Sequence, residues 1–149
     1  MIAKDTPYTD DLLIHQIYKT MRMFTNTLNE MLRTYGLYSA EWTVLNFLKK
    51  HDGSLQSDIA AALQIEAAAI SKTLGKMEKK HLITRTVRKD KREKYIFLTP
   101  NAKNIFPALS QAVTLHRNQA LSDLSEADRK KMLSFIVSMS QQLTGSESH

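Results

Sequence analysis

The sequence predicts a mainly α (α+β) chain of about six helices plus one β-hairpin. Three observations point there. Apolar residues recur at helical spacing through most of the chain. Residues 83–98 alone switch to an alternating, β-rich pattern around an all-charged centre. Only 4 glycines and 3 prolines occur in 149 residues, too few for a turn-rich all-β fold.

The first helix is expected over residues 10–35. Ile14, Ile17, Met21, Phe24, Leu28, Met31 and Tyr35 follow at alternating steps of three and four, a heptad-like seam that needs a partner. Asp10 or Thr9 can cap its start, and Gly36 is a suitable stop. The second helix, residues 39–50, takes Ser39 as N-cap, with Trp42, Leu45 and Leu48 inward and the turn Asp52-Gly53 after it. The third, residues 55–63, takes Ser54 as N-cap and turns Ile59, Ala60 and Leu63 inward, and Gln64-Ile65 is a tight break. In the fourth, residues 66–80, Ile70, Leu74 and Met77 fall within roughly 60° of each other, while Ala68, Lys72, Gly75, Lys76 and Lys79 fall opposite. Two short helices joined by a tight break form a helix-turn-helix pattern.

The alternating Ile83–Val87, the charged run 88–93 and the β-rich Lys94–Leu98 read as a hairpin, or wing. Neither Asn-Gly nor Asp-Gly stands at its tip, so the turn type stays open. The fifth helix, residues 100–121, offers Ile105, Leu109, Ala112, Leu115 and Ala120 as apolar positions. Pro100 suits its first turn, and Pro107 is early enough to cost at most a kink. The sixth, residues 126–143, takes Ser125 as N-cap with Asp128 three residues on. Leu133, Ile136, Val137, Met139 and Leu143 form its apolar face. The last residues, 145–149, are expected to fray.

The formal net charge is +6, from 21 Lys+Arg against 15 Asp+Glu. Residues 49–94 hold twelve of the cations and six of the anions, so this one segment carries the whole excess. A basic segment on a neutral scaffold fits a polyanion surface. There is no cysteine, which excludes disulfides, a thiolate zinc site, a cysteine nucleophile and a thiol switch. No nucleophile–base pair or phosphate loop is evident. The histidines His15, His51, His81, His116 and His149 do not pair at ligand spacing, so no metal, cofactor or enzymatic chemistry is expected. No apolar run approaches the roughly 20 residues of a membrane span, and Met1-Ile2-Ala3-Lys4-Asp5 lacks a signal-peptide pattern. A soluble, cytoplasmic protein that binds no membrane is the expectation.

The candidate DNA-facing residues lie in the basic segment. Small Ala67 and Ala68 allow close approach to a major groove, and Ser71, Lys72, Lys76 and Lys79 can reach phosphates or base edges. Gln56 and Ser57 open the preceding helix, and Arg85 enters the wing. Arg88, Lys89, Lys91 and Arg92 crowd the wing tip, where arginine can enter a narrow minor groove. Asp90 is expected to pair with Arg92 and fix the loop. The outer face of the fourth helix has no Asn, Gln or Arg, so direct readout is modest and specificity must come partly from DNA shape and from two copies.

In this order, the motifs resemble the MarR family of winged helix-turn-helix transcription regulators, over about residues 10–143. The resemblance rests on Gly36-Leu37 with Trp42 and Leu45, on Gln56-Ser57-Asp58-Ile59-Ala60, and on Met77-Glu78-Lys79-Lys80-His81-Leu82-Ile83-Thr84-Arg85. Asp90-Lys91-Arg92 followed by Leu98-Thr99, and Leu124-Ser125-Glu126-Ala127-Asp128, complete it. It implies a homodimer in which residues 1–36 and 100–149 supply intertwined dimerisation helices and residues 37–99 form the winged domain. Ile14, Ile17, Met21, Leu28, Leu133, Ile136 and Leu143 are the candidate dimer residues. It further implies a pseudo-palindromic double-stranded operator, repression, and release by a small phenolic or anionic effector. His15, Met21, Tyr38, Trp42 and His116 are candidate lining for an effector cavity, although core packing is the plainer reading of Met21 and Trp42. The sequence departs from the family at His81, where glycine is usual, at Pro100-Asn101-Ala102, where a glycine is absent, and at Leu55, which displaces a hydroxyl cap to Ser54. The alternative is a winged-helix module that binds protein or RNA.

Overall fold

The computed structural model describes residues 5–88 and 92–145. In chain order the elements are α1 (Asp10–Leu32), a 3-10 turn (Arg33–Tyr35), α2 (Ser39–Lys50), β1 (Ser54–Leu55), α3 (Gln56–Leu63), α4 (Ala67–Lys79), β2 (Ile83–Val87), β3 (Lys94–Leu98), α5 (Pro100–Ala120) and α6 (Glu126–Gly145). Lys89, Asp90 and Lys91 of the wing tip, with the expected Asp90–Arg92 pair, lie outside the described residues, as do 146–149.

Thr9 caps α1, its hydroxyl accepting from the Leu12 amide at 3.0 Å. Three helical segments end in one way. The amides of Leu37, Ile65 and Leu82 reach back to the carbonyls of Leu32, Ala60 and Met77 at 3.2, 3.0 and 3.0 Å, around Gly36, Gln64 and His81 at φ +71°, +52° and +59°. Glycine adopts this left-handed turn freely, whereas a residue with a Cβ is strained in it. His81 therefore keeps the usual geometry in place of glycine and accepts the strain. His81→Gly should raise stability by about 1 kcal/mol, read as a higher denaturation midpoint at unchanged slope. An unchanged midpoint would show the turn to be unstrained.

Two expected caps are corrected. Tyr38, not Ser39, occupies the N-cap position of α2. The Glu41 carboxylate accepts from the Tyr38 amide at 3.1 Å, and the Ser39 amide donates to Asn29 Oδ1 on α1 at 2.7 Å, so no hydroxyl cap is needed. Ser54 does not cap α3 either. Ser54 and Leu55 form β1, which pairs antiparallel with β3 (Ser54↔Ile96, Leu55↔Tyr95), and Leu55 takes the cap position of α3. The wing is thus a three-stranded antiparallel sheet in the order β1-β3-β2. Within it Ile83 faces Leu98 and Val87 faces Lys94. Ser125 caps α6 as expected, accepting from the Asp128 amide at 3.1 Å.

The chain divides into two compact units, residues 1–112 and 113–149, with α5 running across the boundary. In the first unit the core is built from Val44, Leu45 and Leu48 of α2, Ile59 of α3, Ile70, Leu74 and Met77 of α4, and Ile96 of β3, all buried. α1 splits along its length. Ile14, Ile17 and Met21 are exposed, whereas Leu28 (7%) and Leu32 (0%) are buried within the chain. Leu28 is thus packed within its own chain, unlike the other candidate seam residues of α1. On α5, Ala102, Leu109 and Val113 are buried, and Leu115, expected inward, is exposed. It lies two residues past Val113, about 200° round the helix. In the second unit Arg129 closes the turn before α6, donating to the carbonyls of Leu124 and Leu121 at 3.0 and 2.7 Å. Leu133, Ile136 and Leu143 of α6 are exposed. Among the described residues, no helix is long and apolar enough to cross a membrane.

Candidate nucleic-acid interface

α4 buries Ile70, Leu74 and Met77 completely, and this fixes which face is left outside. Ala67, Ala68, Lys72, Lys76 and Lys79 are exposed on it, and Ser71 is half-buried. The basic last turn of α4 (Lys76, Lys79) is stabilising at the negative end of the helix dipole, so these cations serve the helix before any ligand arrives.

The two helices and the wing enclose a groove of about 290 Å³. Gln56, Ser57 and Ala60 of α3, Ala67 and Ile70 of α4, and Arg92 and Lys94 of the wing line it, together with Leu55 and Glu93. Arg88 and Arg92 are exposed at the wing. The Arg88 guanidinium lies 4.6 Å from the Tyr95 ring centre, and the Tyr95 hydroxyl donates to Glu93 Oε2 at 3.0 Å. These contacts orient the strand ends on either side of the tip.

Arg85 is placed differently from the other cations. Its side chain is only 14% exposed. Nη2 donates to the Ser71 carbonyl at 3.0 Å, Nη1 to Gln56 Oε1 at 3.3 Å, and Nε lies 3.1 Å from Glu78 Oε1. A Cβ on Gly75 would come 3.4 Å from Nη2, so Gly75, expected on the outward face, is the floor on which the guanidinium rests. One strand residue thus ties the head of α3 and two turns of α4 to the wing.

A second tie was not anticipated. Glu41 at the start of α2 is 1% exposed, and its Oε1 accepts from Lys80 Nζ at 2.7 Å. Lys80 Nζ also lies 5.3 Å from the Tyr38 ring centre. The end of α4 is therefore held to the segment joining α1 and α2. The signal was present in the sequence: Glu41 shares a helical face with Val44, Leu45 and Leu48, where a lone carboxylate calls for an internal partner.

The five candidate cavity residues have separate surroundings. Trp42 is buried and stacks on Phe106, with ring centres 5.4 Å apart and planes at 21°, and Lys49 Nζ sits 5.3 Å from the Phe106 ring centre. Tyr38 faces Lys80, while His15 and Met21 are exposed on α1. His116 belongs to the second unit, where it is half-buried.

Comparison with known proteins agrees with this architecture. A MarR family model matches residues 35–93. The uncharacterized HTH-type transcriptional regulator YwoH of Bacillus subtilis is 30% identical over 123 residues, 83% of this chain and 90% of the relative. Among solved structures, the S. aureus MepR–DNA complex superposes with a TM-score of 0.78 at 27% identity, over 92% of this chain and 99% of that one. A mutant MarR from E. coli complexed with operator DNA gives a TM-score of 0.80 at 16% identity, over 90% and 99% of the two chains, a likeness of fold. With its winged helix-turn-helix and a relative at this identity and coverage, the chain belongs to the MarR family of transcriptional regulators.

Proposed function

We propose that the protein binds double-stranded DNA as a homodimer, with residues 37–99 of each copy on one half of a pseudo-palindromic operator. It represses transcription there until a small phenolic or anionic effector releases it. The observation that carries the reading is the exposed Ala67, Ala68, Lys72, Lys76 and Lys79 face of α4 beside the exposed Arg88 and Arg92 of the wing. Small residues at the head of the helix admit a groove floor, and the cations behind them meet phosphates. The DNA complexes of the S. aureus and E. coli neighbours agree with it. For the dimer, support comes from the apolar residues that α1 and α6 leave in solvent, among them Ile14, Ile17, Met21, Leu133, Ile136 and Leu143. They are the material of a covered interface, and residues 1–36 and 100–149 are assigned that role. The effector reading keeps His15, Met21, Tyr38 and His116 as candidates; Trp42 has its ring on Phe106.

The test is a salt titration of binding to duplexes from the protein's own promoter region, with structured RNA as competitor and mass read by light scattering. A dimer whose log K falls with log salt at a slope of about −3 or steeper is expected. A flat slope, preference for RNA, or a monomer mass would sink the corresponding part.

A further inference from the structure

Gln56 opens α3 and lines the groove between the helices and the wing. A free glutamine amide is ambivalent. It presents a carbonyl and an NH2 side by side and can turn either toward a partner, which lets it pair with adenine's donor and acceptor together. Here the ambiguity is removed. A guanidinium has five donors and no acceptor, so the amide atom against Arg85 Nη1 at 3.3 Å must be the oxygen. Arg85 cannot swing away cheaply, because Nη2 donates to the Ser71 carbonyl, the Glu78 carboxylate pairs with its charge and the bare backbone of Gly75 lies against Nη2. Among the described residues no group accepts from Gln56 Nε2, so the end left for a ligand in the groove is the NH2.

We propose that Arg85 is a positioning residue, and that it makes Gln56 a donor-only contact. Resting on the DNA-binding reading above, this means that the head of α3 meets hydrogen-bond acceptors of the duplex, either a phosphate oxygen or the acceptor edge of a base (purine N7, guanine O6, thymine O4). It discriminates against the donor of adenine or cytosine. Arg85 itself, spent inside the chain, neutralises no phosphate.

Full-length protein is tested on a duplex selected from genomic DNA by the wild type and on a scrambled duplex of the same composition. Gln56→Leu leaves an apolar side chain one atom shorter and removes its donors, and should weaken binding to the selected duplex about tenfold. Arg85→Lys keeps the charge and can still pair with Glu78, but a single ammonium cannot hold three partners in one plane. It should cost about fivefold on the selected duplex, leave the salt slope unchanged, and cost less than twofold in a Gln56→Leu background, since its effect runs through Gln56. Circular dichroism and melting confirm that each variant is folded. Reselection of sites with Gln56→Leu separates the two acceptor sources. Relaxed preference at one position per half-site assigns a base edge, and uniform weakening assigns a phosphate; either supports the proposal. Additive losses in the double variant would overturn it in favour of a direct Arg85–phosphate contact. Absence of salt-dependent duplex binding by the wild type would instead fail the DNA-binding reading itself.

Discussion

Lys80→Met is expected to lower stability by about 2–3 kcal/mol. Glu41 is 1% exposed, one of its oxygens has no hydrogen-bond partner, and the other accepts only from Lys80 and the Tyr38 amide. Removing the ammonium leaves a buried carboxylate held by one backbone N–H. Breaking a fully buried pair costs about 3–5 kcal/mol, and the figure is reduced here because the Lys80 side chain is 33% exposed and water can follow it. For a chain of this length the melting temperature should fall by about 5–10 °C. Replacing both partners, Glu41→Leu with Lys80→Met, should recover most of the loss, because an apolar pair of similar volume leaves no charge to solvate. A single variant that melts with the wild type would show that the pair holds nothing in place.

Lys72→Ala with Lys76→Ala should act oppositely, leaving stability within about 0.5 kcal/mol and weakening DNA binding about thirtyfold per protomer near physiological salt. Both side chains are exposed on α4 and form no ion pair among the described residues, so their loss costs the fold little. If each neutralises one phosphate, the log–log salt slope should become shallower by about 2 per protomer, about 4 for the dimer. The loss should be equal on selected and scrambled duplexes, since phosphate contacts carry no sequence. A loss confined to the selected duplex would move these lysines to base edges.

Much of the fold was legible because helices of twelve residues or more repeat their period often enough to fix a face. Ile70, Leu74 and Met77 illustrate this. The two-residue β1 was not legible, because alternation needs several residues to register. Ser39 and Ser54 looked like caps because hydroxyls favour that position, but a carboxylate at Glu41 and a strand partner at Ile96 took precedence. Leu28 could not be separated from Ile14 and Ile17, since a heptad pattern marks an apolar stripe without saying which chain covers it. At the candidate interface the exposed lysines of α4 were readable from helical phase alone. Arg85 was not, because a sequence reports a charge but not its partner, and Glu78, Gln56 and the Ser71 carbonyl are brought to it only by the packing of β2 on α4.

The two internal pairs, Lys80–Glu41 and Arg85–Glu78, leave the net charge of +6 unaltered, since each removes a cation and an anion together. They do alter what that charge can accomplish. A cation already neutralised by its own chain holds no condensed ion on the DNA to be exchanged for it, and contributes nothing to the entropy of ion release on binding. Of the twelve cations in residues 49–94, at most ten remain to draw on that entropy, which caps this segment's share of the slope near about −9 per protomer. The same chain thus spends part of its basic character on rigidity, and the remainder is what solution ions compete against.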